Sequence, residues 1–225
     1  MTQRFVVALV LLLACAPVNA DVIYATFDPN NWGCDPQFGC SGCIVGTNVF
    51  SGLGPFSWAA SFTPSAAYTL DTVQFVASWL NPQNQPGAAH LRVAVAEDLG
   101  GAPGAVLDSV VVPNIEALGA LYGAAFALHP AVSAGSPYWV VLTAEDPTAG
   151  MVWSTGSFFF LGASFREGSG PWEYSPGWTP GFVVNGTAAA VPEPSSVVLL
   201  GLGLAGVALG RAGRPADERD GAIAA

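Results

Sequence analysis

Apolar and polar residues alternate through the middle of this chain in short runs, at a period of two and not at helical spacing. In 90–96, Leu91, Val93 and Val95 fall on one face and Arg92 on the other, the signature of a half-buried strand. In 68–80, Leu70, Val73, Phe75, Ala77 and Trp79 include a clean alternating stretch. Further β-prone runs lie at 57–62, 106–112, 124–128, 138–143, 151–154 and 182–184. Turn residues separate them: Thr63-Pro64-Ser65, the loop from Asn81-Pro82 to Pro86-Gly87, and the Gly- and Pro-rich run at 97–104. Such strands at short spacing predict an all-β domain over 56–187, an antiparallel β-sandwich of jelly-roll type. Residues 21–55 precede it as a cysteine-containing segment.

Both ends of the chain replace alternation with continuous apolar runs. Arg4 is followed by an apolar run at 5–14 and by Val18-Asn19-Ala20, a small-residue cleavage site. Residues 1–20 therefore read as a secretory signal helix, with Asp21 as the mature amino terminus. Leu12-Leu13-Ala14-Cys15 resembles a lipoprotein box, which makes Cys15 the rival first residue. At the other end, Pro192-Glu193-Pro194 precedes an apolar run at 197–209, then Arg211 and Arg214. The prolines keep the motif extended and stop a helix from growing upstream. The apolar run predicts a transmembrane helix, and the arginines place its far end in the cytoplasm. Its thirteen residues make about 20 Å of helix against about 30 Å of hydrocarbon. Ser195, Ser196 and Gly210 must extend it, or the bilayer must thin. Residues 188–214 form this terminal unit, and 215–225 an acidic cytoplasmic tail.

The order of motif, apolar run and arginines resembles the PEP-CTERM sorting signal of Gram-negative bacteria. The resemblance implies an exosortase-type sorting enzyme as partner, acting on Pro192, Glu193 and Pro194 after export. It implies transient anchoring in the inner membrane through 197–209, then delivery to the cell envelope or extracellular matrix. The run from about 56 to 153 resembles a second bacterial export family, labelled choice-of-anchor R. That resemblance rests on Phe62-Thr63-Pro64, on Tyr68-Thr69-Leu70-Asp71-Thr72-Val73, and on the Gly101-Ala102-Pro103-Gly104 turn leading into Val106-Leu107. It ends with Tyr138-Trp139-Val140-Val141-Leu142. It implies a β-sandwich on a bacterial surface and no known reaction.

Charge narrows the function further. The formal net charge is −10, with no lysine, and between Asp21 and Ala190 the only cations are Arg92 and Arg166. Without a basic patch to neutralise phosphates, nucleic-acid binding is excluded. An acidic surface also disfavours an anionic bilayer face.

Candidate chemistry is sparse. Cys34, Cys40 and Cys43 form C-x5-C-x2-C in a Gly- and Pro-containing loop, and export makes a disulfide among them the first expectation. Spacing leaves the pairing open, with one thiol over. A zinc site needs a fourth ligand, and His90 and His129 lie in distant segments. No metal or cofactor is expected. Glu97-Asp98 and Glu145-Asp146 sit at strand-to-turn transitions; a secreted hydrolase would need such acids to face one another across a sugar. Asp28, Asn30, Asn31 and Asp35 offer oxygens without an EF-hand pattern. No G-x-S-x-G motif occurs. Gly201, Gly203 and Gly206 spell G-x-G-x-x-G, but the 19 residues that follow hold no second strand. These glycines, with Gly206 and Gly210 at GxxxG spacing, suit membrane-helix packing instead.

Seven tryptophans complete the inventory. Trp79 and Trp139 lie within strands and are expected in the core; Trp153 ends a strand. Trp32, Trp58, Trp172 and Trp178 lie nearer loops. Trp172 and Trp178, in the stretch 168–181, are candidates to stack on sugar faces of an exopolysaccharide, or alternatively to cap the sandwich ends. The sequence thus predicts a non-catalytic exported protein, with a carbohydrate-binding module as the alternative and a hydrolase behind both.

Overall fold

Leu91, Val93 and Val95 are fully buried while Arg92 is exposed, so the alternation in the sequence becomes a strand with one face in the core. The computed structural model describes residues 20–28, 42–48, 53–79, 89–116, 119–146, 149–154, 162–177 and 179–189. These contain β1 (Asp21–Ala25), β2 (Gly42–Asn48), β3 (Leu53–Phe62), β4 (Tyr68–Trp79), β5 (Ala89–Asp98), β6 (Pro103–Ile115) and β7 (Ala120–Ala125). They continue with β8 (Ala131–Val132), β9 (Tyr138–Ala144), β10 (Gly150–Ser154), β11 (Ala163–Glu167), β12 (Glu173–Ser175) and β13 (Phe182–Ala188). No helix occurs among the described residues. The expected signal helix and transmembrane helix lie outside them.

Every pairing is antiparallel, and the strands join into one sheet in the order β1-β13-β4-β10-β2-β3-β9-β5-β6. One arm is β6-β5-β9-β3, continued past β3 by β11 and β12. The other is built on β4. Residues 72–75 of β4 pair with both β13 and β7, so those two strands take opposite edges. Strands β10 and β2 connect the arms.

The main core draws on both arms. Phe62, Leu91, Val93, Val95 and Leu142 come from one, and Leu70, Val73, Phe75, Phe182 and Val184 from the other. Burial of such side chains is the chief stabilising term of the fold, about 1.5–3 kcal/mol for each large one. Two smaller clusters occupy reverse faces. Ala59, Ala94, Ala96, Trp139 and Val141 form one; Phe27, Val76 and Val183 form the other.

Several elements differ from the sequence expectation. The strand expected at 124–128 is β7 at Ala120–Ala125. Phe126 leaves the ladder and donates its N–H to the Asp71 carbonyl, and Leu128 is exposed. Strand β6 runs well beyond 106–112. Within it Asp108 is buried, because its carboxylate accepts the N–H of Ser109 at 2.7 Å and of Leu128 at 2.8 Å. The boundary drawn at residue 56 falls inside β3. Strands β1 and β2, placed by the sequence in a separate segment, pair into the same sheet through β13, β10 and β3.

Candidate functional site

Strand β3 changes partners at Phe56. Phe56 lies opposite Gly46 of β2 and also opposite Glu167 of β11. Before it, Leu53 pairs with β2; after it, Ser57, Trp58 and Ala59 pair with β11. Strand β2 meanwhile turns to β10, and among the described strands its residues 42–45 pair with β10 alone. The divergence of β2 from β11 opens a cleft of about 360 Å³, within the range of small-molecule sites.

Its lining follows from strand alternation. Phe56 and Trp58 share one face of β3, and Phe165 stands opposite Trp58 on β11. Trp58 and Phe165 stack with centroids 5.3 Å apart and planes at 29°, and Phe56 meets Phe165 edge-on at 6.3 Å. Gly42, Cys43 and Ile44 form the β2 wall, and Ser175 of β12 lines it as well. The Trp58 indole Nε1 donates to the Ile44 carbonyl at 2.9 Å, which fixes the ring. No charged side chain is among the described lining residues. Burial pushes the Cys43 thiol up to about 12, so this sulfur stays protonated and is a poor nucleophile.

The sequence-predicted residues are distributed otherwise. Cys43 is a free thiol, buried in β2 in register with Trp153 of β10. Of the three cysteines among which a disulfide is expected, Cys43 is thus the thiol left over, its side chain enclosed between paired strands. Cys34 and Cys40 lie outside the described residues. Trp172 lies against the sheet. It is half-buried against Ala59, Ala94, Ala96, Trp139 and Val141, and the Arg166 guanidinium stands 4.7 Å from its ring centroid. The small alanines leave room for the indole to cover that face. Trp178 lies outside the described residues, and part of the expected loop is strand β12, paired with β11.

Trp139 and Trp153 are buried, bonding Asp98 Oδ1 at 2.8 Å and the Gly181 carbonyl at 2.9 Å. Trp79 is half-buried against the main core. The two acidic pairs do not converge. Asp98 receives the Trp139 indole and the Gly101 N–H, while Glu145 holds Arg92 at 2.6 Å. Arg92 and Asp98 are six residues apart on β5, roughly 20 Å by strand rise. A glycosidase pair stands roughly 5–10 Å apart. His129 bonds Asp71 at 3.1 Å, and Asp71 also accepts from Thr187 at 2.9 Å. His90 is half-buried on β5. Asp28 is described; Asn30, Asn31 and Asp35 are not. Among the described residues no three His, Cys, Asp or Glu side chains cluster to hold a metal ion. Among them no helix is long and apolar enough to cross a membrane.

In the sequence Trp58 reads only as a tryptophan near a loop, and nothing there singles out Phe165, Ile44 or Ser175. The Phe56-x-Trp58 alternation was the available signal for one wall. The partner wall comes from strands brought together by the fold.

Pro192, Glu193, Pro194, Arg211 and Arg214 lie outside the described residues, and here comparison with known proteins speaks. Residues 190–214 match the PEP-CTERM protein-sorting motif. Exosortase recognises this motif, which implies export and membrane anchoring through that system. No curated protein matches the chain.

Proposed function

We propose that this protein is a non-catalytic surface or extracellular-matrix component, carried by exosortase to the envelope of a Gram-negative bacterium. The sorting motif at 190–214, placed behind an all-β acidic domain, carries this reading. The polar groups of that domain give it further support: Asp98, Asp108, Glu145 and Asp71 each hold structural hydrogen bonds. The two arms of the sheet are read as the layers of a jelly-roll sandwich of choice-of-anchor R type. Residues 1–20 are read as its export signal, with Cys15 the alternative start.

Deleting 190–225 and fractionating the cells tests the reading. Loss of the inner-membrane intermediate and of envelope delivery is expected. Unchanged envelope retention would contradict it.

A further inference from the structure

We propose that the cleft between β2, β3 and β11 binds an uncharged sugar residue of a surface glycan, held against Phe56, Trp58 and Phe165. The inference rests on the non-catalytic surface role above, and concerns what that surface recognises.

Charge selects the ligand first. The described lining carries neither a cation nor a carboxylate, and burying an unpaired ionic group there is strongly unfavourable. Arg92 and Arg166, the only cations between Asp21 and Ala190, serve elsewhere. Arg166 is opposite Ser57, on the face of β3 that Phe56 and Trp58 do not share, and stands over Trp172. Arg92 pairs with Glu145. Glu167, opposite Phe56, accepts the Gly54 N–H at 3.1 Å. An acidic polysaccharide would meet a chain of net charge −10 with no cation among the described lining residues.

Hydrogen bonding then separates a sugar from a peptide. An extended peptide would add to the β2 edge through main-chain bonds. The Ile44 carbonyl that such a strand would use already accepts from Trp58 Nε1, which competes with an added strand. The same bond holds the indole in place for a ring that stacks. The C–H face of a sugar ring matches an aromatic surface, and its hydroxyls find the Ser175 hydroxyl and the Gly42 backbone at the cleft wall.

The test uses the full chain in a non-glycosidic detergent, with tryptophan fluorescence and calorimetry. The probes are neutral gluco-, manno- and galacto-oligosaccharides, with an oligogalacturonate as the charged comparison. Saturable binding of at least one neutral probe is expected, weakened about tenfold by Phe165→Ala. Ser175→Trp, which fills the cleft from β12, should abolish binding even if Phe165→Ala folds poorly. Trp172→Ala should leave binding intact. Absence of saturable binding to every neutral probe would overturn the proposal. So would binding that both cleft variants retain, or a preference for the oligogalacturonate. Failure here with normal sorting in cells refutes the sugar site alone; normal binding with failed sorting refutes only the exosortase reading.

Discussion

Asp21 lies in register opposite Gly186, so the first described strand begins where the last one ends. Among the described strands β1 pairs with β13 alone, and β13 lies between β1 and β4. The start of β1 and the end of β13 therefore lie at the same end of this strand pair. The strand that follows the expected signal cannot dock until the strand that precedes the sorting segment is in place.

That dependence predicts a sharp truncation boundary. A chain ending at residue 180 loses Phe182 and Val184, both fully buried, and the Gly181 carbonyl that holds Trp153. It should lack a cooperative thermal transition, whereas a chain ending at 189 should keep one. Equal melting of the two would show that β13 is dispensable.

Gly186 itself is a steric requirement. A Cβ there would meet the Thr69 carbonyl oxygen and come within 2.6 Å of Ile23 Cδ1. Gly186→Ala should destabilise by about 1–3 kcal/mol through overpacking, read from urea denaturation. A change within a few tenths would mean that β1 yields easily.

Thr26 ties the same edge together. Its side chain is 2% exposed. Its Oγ1 accepts the Phe182 N–H at 2.7 Å, and its hydroxyl proton is directed at the Pro180 and Phe182 carbonyls, at 3.0 and 3.2 Å. Thr26→Val keeps the shape and removes these bonds. The cost should be about 1–3 kcal/mol, because buried partners are left unsatisfied. Thr26→Ser should recover most of it.

Cys43 gives the fold a pH signature. Burial raises its thiol to about 12, against about 8.5 in an unfolded chain. Below about 8.5 both states are protonated and the contribution to stability is complete. Above it only the unfolded state loses the proton, so stability falls as pH rises, by up to about 1.4 kcal/mol per unit towards 12. Tyr24, also raised by burial, has the same sign at higher pH. Denaturation between pH 8.5 and 10 should show this slope, and Cys43→Ala should flatten it. An identical slope in the variant would contradict the assignment.

Much of the sheet was legible because burial on one face forces period two. Strands β4, β5 and β9 were placed nearly in full, from runs such as Leu91-Arg92-Val93 and the Tyr138-Trp139-Val140-Val141-Leu142 segment. Strand β2 was hidden. Gly42 and Gly46 interrupt its apolar pattern, and Cys43 drew attention as a ligand or disulfide when it is a core position. Strand β1 is short and half-exposed at the edge, so it carries little hydrophobic signal. The sequence leaves Trp172 between stacking and capping, because its burial depends on Ala59, Ala94 and Ala96, far away in sequence. The cleft was illegible for a related reason: it exists only because β3 divides its pairing between β2 and β11. The sorting segment was the opposite case, since local order alone defines it.

Intact mass and fractionation of the full chain in paired hosts with and without exosortase decide whether the tail acts as a sorting signal. The tail beyond the Pro192-Glu193-Pro194 motif should be lost, and the domain should leave the inner membrane, only where exosortase is present. Without exosortase the anchored full-length form should accumulate. The same mass and the same location in both hosts would contradict it.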